Sequence, residues 1–319
     1  ARPEGNGLWA TPILGTAVTT IGVKMTNRSD ADAQRSPLRT FSPSSMVIGG
    51  VVVIVVGACM VVAIFFFATY DHGAVYHPTA PVTNGQYPIG VANANEPSGF
   101  APPVTKSVAG YAMSYVSDFS GTTVPKGWYI FTGIPGGDPG GQFGKAHVVV
   151  AKGLLQLNAW RDPQYKNHWV TGGLCQCGLK ETYGAYFVRS RVTGAGPTEV
   201  ELLWPFSNKW PPEIDFNETG GSVKSSSSTI HWGSADHIEQ DHILINMKQW
   251  HTWGLVWTPS AVTYIVDGQV WGSITAADEI TKVPMTLDLE QIAQCGLHRE
   301  CPTRPVSMQV DWVTEYTSK

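Results

Sequence analysis

From Tyr111 onward the chain is a series of short apolar or alternating runs, each ended by Gly, Pro, Asn or Asp, with almost no stretch of helical period. A period of two sends successive side chains to opposite faces of an extended strand, and the turn-forming residues break one strand from the next. Strands are expected at Val148–Ala151, Leu154–Leu157, Ala185–Val192, Val200–Trp204, Glu213–Glu218, Ser228–Trp232, Thr252–Trp257 and Met308–Val313. The clearest pairing joins Val262–Val266 to Gln269–Ile274 through Asp267-Gly268, a dipeptide that supplies the positive φ angles of a tight hairpin. So many strands must bury their apolar faces against one another, and an all-β fold of two packed sheets is expected.

The region before Tyr111 reads differently. Residues 46–69 form a run of 24 residues without a charge, enough helical rise to cross roughly 30 Å of hydrocarbon. A single transmembrane helix is expected there. Lys24, Arg28, Arg35 and Arg39 precede it and Asp71 and His72 follow, so the basic-side rule places the N-terminus in the cytoplasm and the bulk of the chain outside the plasma membrane. Two alternatives remain open: secretion after signal cleavage, or a lipoprotein processed at Cys59 in Val56-Gly57-Ala58-Cys59. Residues 1–45 have the composition of a disordered tail, and residues 70–110 that of a Pro/Ala/Gly-rich tether. The folded domain is expected over 111–319.

The net charge of −4, with no long basic block, gives no cationic surface for a phosphate backbone, so nucleic acid is excluded as a partner. Cys175, Cys177, Cys295 and Cys301 fall on the exported side, where disulfides persist, and four cysteines allow three pairings. The Cys-x-Cys spacing lacks the two-residue gap of structural zinc sites, and no metal ligands are assigned.

The chemistry is concentrated in Glu213-Ile214-Asp215-Phe216-Asn217-Glu218. Alternation places Glu213 and Asp215 on one face and Ile214 and Phe216 on the other, and strict alternation would send Glu218 to the apolar side. One residue bulged out at Phe216 or Asn217 returns Glu218 to the acidic face. The carboxyl tips then meet only on a concave sheet. Three clustered carboxyl groups are costly as scaffold, because like charges must repel or share a proton. They suit glycoside hydrolysis with retention, where one ionised carboxylate attacks the anomeric carbon and a protonated one serves the leaving oxygen. Glu213 is the expected nucleophile and Glu218 the acid/base. Asp215 is expected to hydrogen-bond to Glu213 and, by its charge, to keep Glu218 protonated.

The flanking residues resemble glycoside hydrolase family 16, in its branch with a bulged Glu-x-Asp-x-x-Glu strand. The resemblance covers essentially the whole exported domain. It rests on Asp118-Phe119-Ser120-Gly121, the strand Tyr183 to Val192, Trp210-Pro211 before the acidic strand and Ser228 to Gly233 after it. Trp250 to Trp253, Val256 to Pro259 and Asp311-Trp312-Val313 complete it. The resemblance implies a jelly-roll sandwich with a concave catalytic sheet, and retaining endo-hydrolysis of a β-linked polysaccharide such as a β-1,3-glucan or related wall glycan. It also implies that no cofactor is required and that many relatives carry one structural calcium, whose ligands cannot be assigned here; separately, a monomer is expected. Two departures stand out: Pro212 where the family commonly has Gly, and Glu290 where related sequences tend to carry an amide.

Tryptophan faces stack on pyranose rings. Trp210 matches the family's cleft tryptophan, and Trp204, His231 and Trp232 are further candidates for substrate binding, while Trp253, Trp257 and Trp312 are assigned to packing. Asn217-Glu218-Thr219 is formally a glycosylation sequon, and a glycan there would block the site, so it is expected to be unused. Two other functions fit the same residues: an envelope transglycosylase on the same fold, and a carbohydrate-binding or wall-anchoring protein without turnover.

Overall fold

The computed structural model describes residues 53–56, 59–62, 87–104, 108–136, 138–293 and 301–319. Within the apolar segment expected to span a membrane, Val53–Val56 pairs antiparallel with Cys59–Val62. These residues are strand and not helix, in keeping with the preference of β-branched Val and Ile for extended backbone. The rest of residues 46–69, and the expected tail at 1–45, lie outside the described residues. Among the described residues no helix is long and apolar enough to cross a membrane.

Val91–Ala92 pairs with Phe100–Ala101, and the remaining strands form two large antiparallel sheets. The first has seven strands in the order His237–Leu244, Ser225–Trp232, Glu213–Glu218, Thr198–Pro205, Met285–Ile292, Gly173–Cys175, Tyr129–Ile130. The second has nine, with Gln269–Ile274, Val262–Val266, His251–Trp257, Gly184–Val192, Val306–Ser318, Leu154–Asp162 and Val148–Ala151 in line. Tyr111–Ser117 pairs with Val306–Ser318, and His168–Val170 with Leu154–Asp162. The chain changes sheet between Gly184–Val192 and Thr198–Pro205, and again between Met285–Ile292 and Val306–Ser318. This is a jelly-roll-like sandwich. The Asp267-Gly268 hairpin is present, with φ of +47° and +79° at the two turn residues.

Inward side chains of both sheets, including Leu203, Ile214, Phe216, Leu287, Trp253 and Trp257, form the main core. A second apolar cluster occupies the other face of the nine-stranded sheet. There Ala185, Phe187, Val256, Ile265 and Trp312 pack with Tyr87 and Val108, and with Tyr111 and Met113 from the sheet's own strand Tyr111–Ser117.

The covering segment is also held by polar contacts. Arg189, whose guanidinium lies 4.4 Å from the Phe100 ring, donates to Ser98 Oγ at 2.7 Å, and the Ser98 backbone N–H donates to Asp311 at 3.0 Å. Trp312 donates its ring N–H to the Phe100 carbonyl at 3.0 Å. Residues 87–104, which read as tether by composition, are therefore part of the folded unit. Local composition records backbone preference, whereas these residues are ordered by burial against a distant sheet.

Cys175 and Cys177 form a disulfide with a Cα separation of 5.1 Å, and Cys301 is disulfide-bonded as well. Sequence alone had left the pairing among three choices.

Candidate active site

The acidic strand owes its geometry to one irregularity. Glu213, Ile214 and Asp215 pair in register with His231, Ile230 and Thr229, but the next paired residue is Glu218, opposite Ser227. On the other side Leu202 opposes Asp215 and Glu201 opposes Asn217, which leaves Phe216 as the extra residue. Phe216 and Asn217 are both fully buried on the core side, so Glu218 emerges on the face that carries Glu213 and Asp215. Pro211 and Pro212 precede the strand, each after a cis peptide bond, so their missing N–H groups fall outside the ladder.

The neighbouring strand Thr198–Pro205 alternates Val200, Leu202 and Trp204 onto the same face. With Glu290 and Ile292 from Met285–Ile292, these residues line a cleft of about 440 Å³, whose mouth is bounded by Gly136 and Trp210. Glu213, Asp215, Glu218, Trp204, Trp210 and His231 are thus together in one cleft. Trp232 is not. Alternation from His231 turns it to the other face, where it packs against the main core with its ring 5.6 Å from His237.

The contacts single out Glu213. The Trp210 ring N–H donates to Glu213 Oε2 at 2.6 Å, and the Trp210 ring, 44% exposed, lies 5.6 Å from His231. His231 is oriented by Asp236, 2.8 Å from its Nδ1, and its Nε2 stands 3.8 Å from Asp215. Asp236 was missed from sequence, because it lies beyond the strand in the Gly233–Asp236 turn and takes a φ of +52°.

Burial raises the pKa of Glu213, while His231, the Trp210 N–H and a hydrogen bond to Asp215 pull it back down. Asp215 is pushed well above the usual carboxylate range, by burial first and then by the charges of Glu213, Glu218 and Glu290. The contact between the two carboxyl groups raises Asp215 and lowers Glu213. Asp215 is 3% exposed, and its burial disfavours a charge there. Trp204 donates to Asn208 Oδ1 at 2.9 Å, which fixes the ring at the cleft wall.

Among the described residues no group of three or more His, Cys, Asp or Glu side chains could hold a metal ion. The sequon's Asn217 is fully buried and inaccessible to a glycan.

The sequence pattern of Glycosyl hydrolases family 16 matches residues 142–314, more than half of the chain, and spans the acidic strand and every strand beside it. The chain belongs to that family. A curated relative, the endo-1,3-1,4-beta-glycanase ExsH of Rhizobium meliloti (strain 1021), is 25% identical over 143 residues, covering 43% of this chain and 31% of its own. The match thus spans about a third of that relative's length. Among solved structures, the endo-beta-1,3-glucanase from Pyrococcus furiosus superposes with a TM-score of 0.54 at 19% identity, covering 65% of this chain and 94% of that one. The laminarinase from Rhodothermus marinus gives 0.57 at 17% identity, covering 65% and 97%. At these identities the solved structures establish the shared fold.

Proposed function

We propose that the domain is a retaining endo-β-glycanase acting by double displacement on a β-linked polysaccharide, with a β-1,3-glucan or related wall glycan as substrate. The observation that carries this reading is the bulge at Phe216, which brings Glu213, Asp215 and Glu218 to one cleft face. Glu213, held by the Trp210 N–H, attacks the anomeric carbon as its carboxylate and forms a glycosyl ester. Glu218, partly open to the cleft, gives its proton to the departing glycosidic oxygen. It then takes a proton from the water that cleaves the ester, and the anomeric configuration is restored. The glucanase and laminarinase names of the relatives support the choice of glucan. An open cleft, bounded by Trp204 and Trp210 and not closed into a pouch, supports attack within a chain. The disulfides at Cys175–Cys177 and Cys301 support an exported domain.

The test is product analysis of the full chain on β-1,3-glucan, mixed-linkage glucan and other wall polysaccharides, with NMR of the newly released anomer. Internal cleavage with initial release of the β-anomer is expected. Release of the α-anomer would refute the double displacement, and no cleavage of any polymer would refute the enzyme.

A further inference from the structure

On the core side of the acidic strand lies a second set of carboxyl groups that the proposed mechanism does not use. Glu199 and Glu201 alternate with the cleft residue Val200 and point between the sheets, where both are fully buried. Asn217, the second of the two consecutive inward residues of the bulge, joins them. Its Nδ2 donates to Glu199 Oε1 at 3.4 Å, and its Oδ1 accepts from Ser226 Oγ at 2.6 Å. Ser190, on the opposite sheet, donates to Glu201 Oε1 at 2.5 Å. The backbone past the bulge is clamped to the same strand: Thr219 N–H donates to the Glu199 carbonyl at 3.0 Å, and Thr219 Oγ1 accepts from the Glu199 N–H at 2.9 Å.

A side-chain amide in the middle of a sandwich core costs roughly 1–3 kcal/mol unless its hydrogen bonds are made, and here they are made only in the bulged register. The regular register would turn Asn217 into the cleft and drive Glu218 inward among Glu199 and Glu201, three carboxyl groups in one desolvated space. The cluster therefore stabilises one register and penalises the other. Burial raises Glu199 to about 8, and burial with the charge of Glu199 raises Glu201 well above the usual carboxylate range, so both favour the uncharged form in this core.

We infer that Asn217, anchored by Glu199, Glu201, Ser190 and Ser226, is a positioning residue that locks the strand register and thereby sets where Glu218 stands in the cleft. This rests on the proposed role of Glu218 as acid/base. The cluster touches no substrate, and its influence passes through the backbone from Asn217 to Glu218.

The test compares the full-length wild type with Asn217→Ala, Glu199→Leu, Glu199→Gln and Ser226→Ala on two substrates. One is a β-glucan, whose alcohol leaving group needs protonation, and the other is a dinitrophenyl β-glycoside, whose leaving group does not. Asn217→Ala and Glu199→Leu should lower kcat/KM on glucan about 100-fold, while kcat/KM on the aryl glycoside, which reports formation of the glycosyl ester alone, stays within about threefold; kcat on the aryl glycoside falls, because Glu218 also serves as base when water cleaves the ester. Glu199→Gln, which keeps an acceptor for the amide, should stay near wild type. Ser226→Ala, the mildest change and the fallback if the others fail to fold, should show the same split at about fivefold. Equal losses of kcat/KM on both substrates, or a folded Asn217→Ala or Ser226→Ala with wild-type kcat/KM on glucan, would overturn the inference. A wild type inactive on both substrates would overturn the proposed function itself.

Discussion

On the nine-stranded sheet the outward Ala185, Phe187, Val256 and Trp312 are apolar and pack with Tyr87 and Val108 from the preceding segment, whereas on the seven-stranded sheet the outward Glu213, Asp215, Glu218 and Glu290 line a cleft. Both faces belong to the same sandwich and both are built by the same alternation. The difference lies in what a covering segment would gain. Over apolar side chains it gains about 25 cal/mol for each Å² removed from water, enough to order a chain of unremarkable composition. Over four carboxyl groups it would only desolvate charge, so that face stays available to a sugar whose hydroxyls can replace the lost water. Function and stability are thus separable by face, and mutations should sort accordingly.

The sharpest break in the comparison should come from Glu213→Gln. Turnover is expected to fall roughly 10⁴-fold or more, as for the loss of a nucleophile in other enzymes, while the melting temperature stays level or rises because one member of a like-charged cluster is gone. Steady-state kinetics and a thermal melt on the same sample check both halves. Phe187→Ala should do the converse. It removes a fully buried ring beneath the covering segment, at a cost of about 3–5 kcal/mol in stability by denaturant titration, and leaves kcat at low temperature within about twofold.

The pH dependence of stability adds a third contrast. Burial raises Glu315 to about 8, with the charge of Glu181 adding to it, and burial likewise raises Glu199 to about 8. An unfolded chain loses these protons near pH 4.3, so between there and pH 8 the folded state binds more protons than the unfolded one. Stability should therefore be highest at the acid end of that window, fall as pH rises through it, and level off above pH 8. Glu315→Gln should flatten the decline, and melts from pH 5 to 9 read the slope. The smallest effect is expected from Trp210→Phe. The aromatic face remains but the N–H to Glu213 is lost, so kcat should drop about tenfold with little change in KM or melting temperature.

Much of the cleft face was legible from residue order, because alternation is a local property of extended backbone. Glu213, Asp215 and Glu218 could be placed on one face once a bulge was allowed, and the hairpin at Asp267-Gly268 follows from turn chemistry alone. The polar, solvent-facing strand His237–Leu244 carries no apolar alternation and escaped notice. Trp232 was misplaced because its candidacy came from its residue type, while its parity with His231 sends it to the core.

Period and turn residues by themselves determined an all-β chain, its main strands and the spacing of its acids. Only the tertiary structure decided that Cys175 bonds to Cys177, that residues 87–104 cover the second sheet, that Asp215 is buried beside Glu213, and that Asn217 turns inward to Glu199 and Ser226. The reason is physical: backbone period depends on neighbours in sequence, whereas burial, proton affinity and the partner of a polar group depend on what the opposite strand or sheet brings to within a few ångströms.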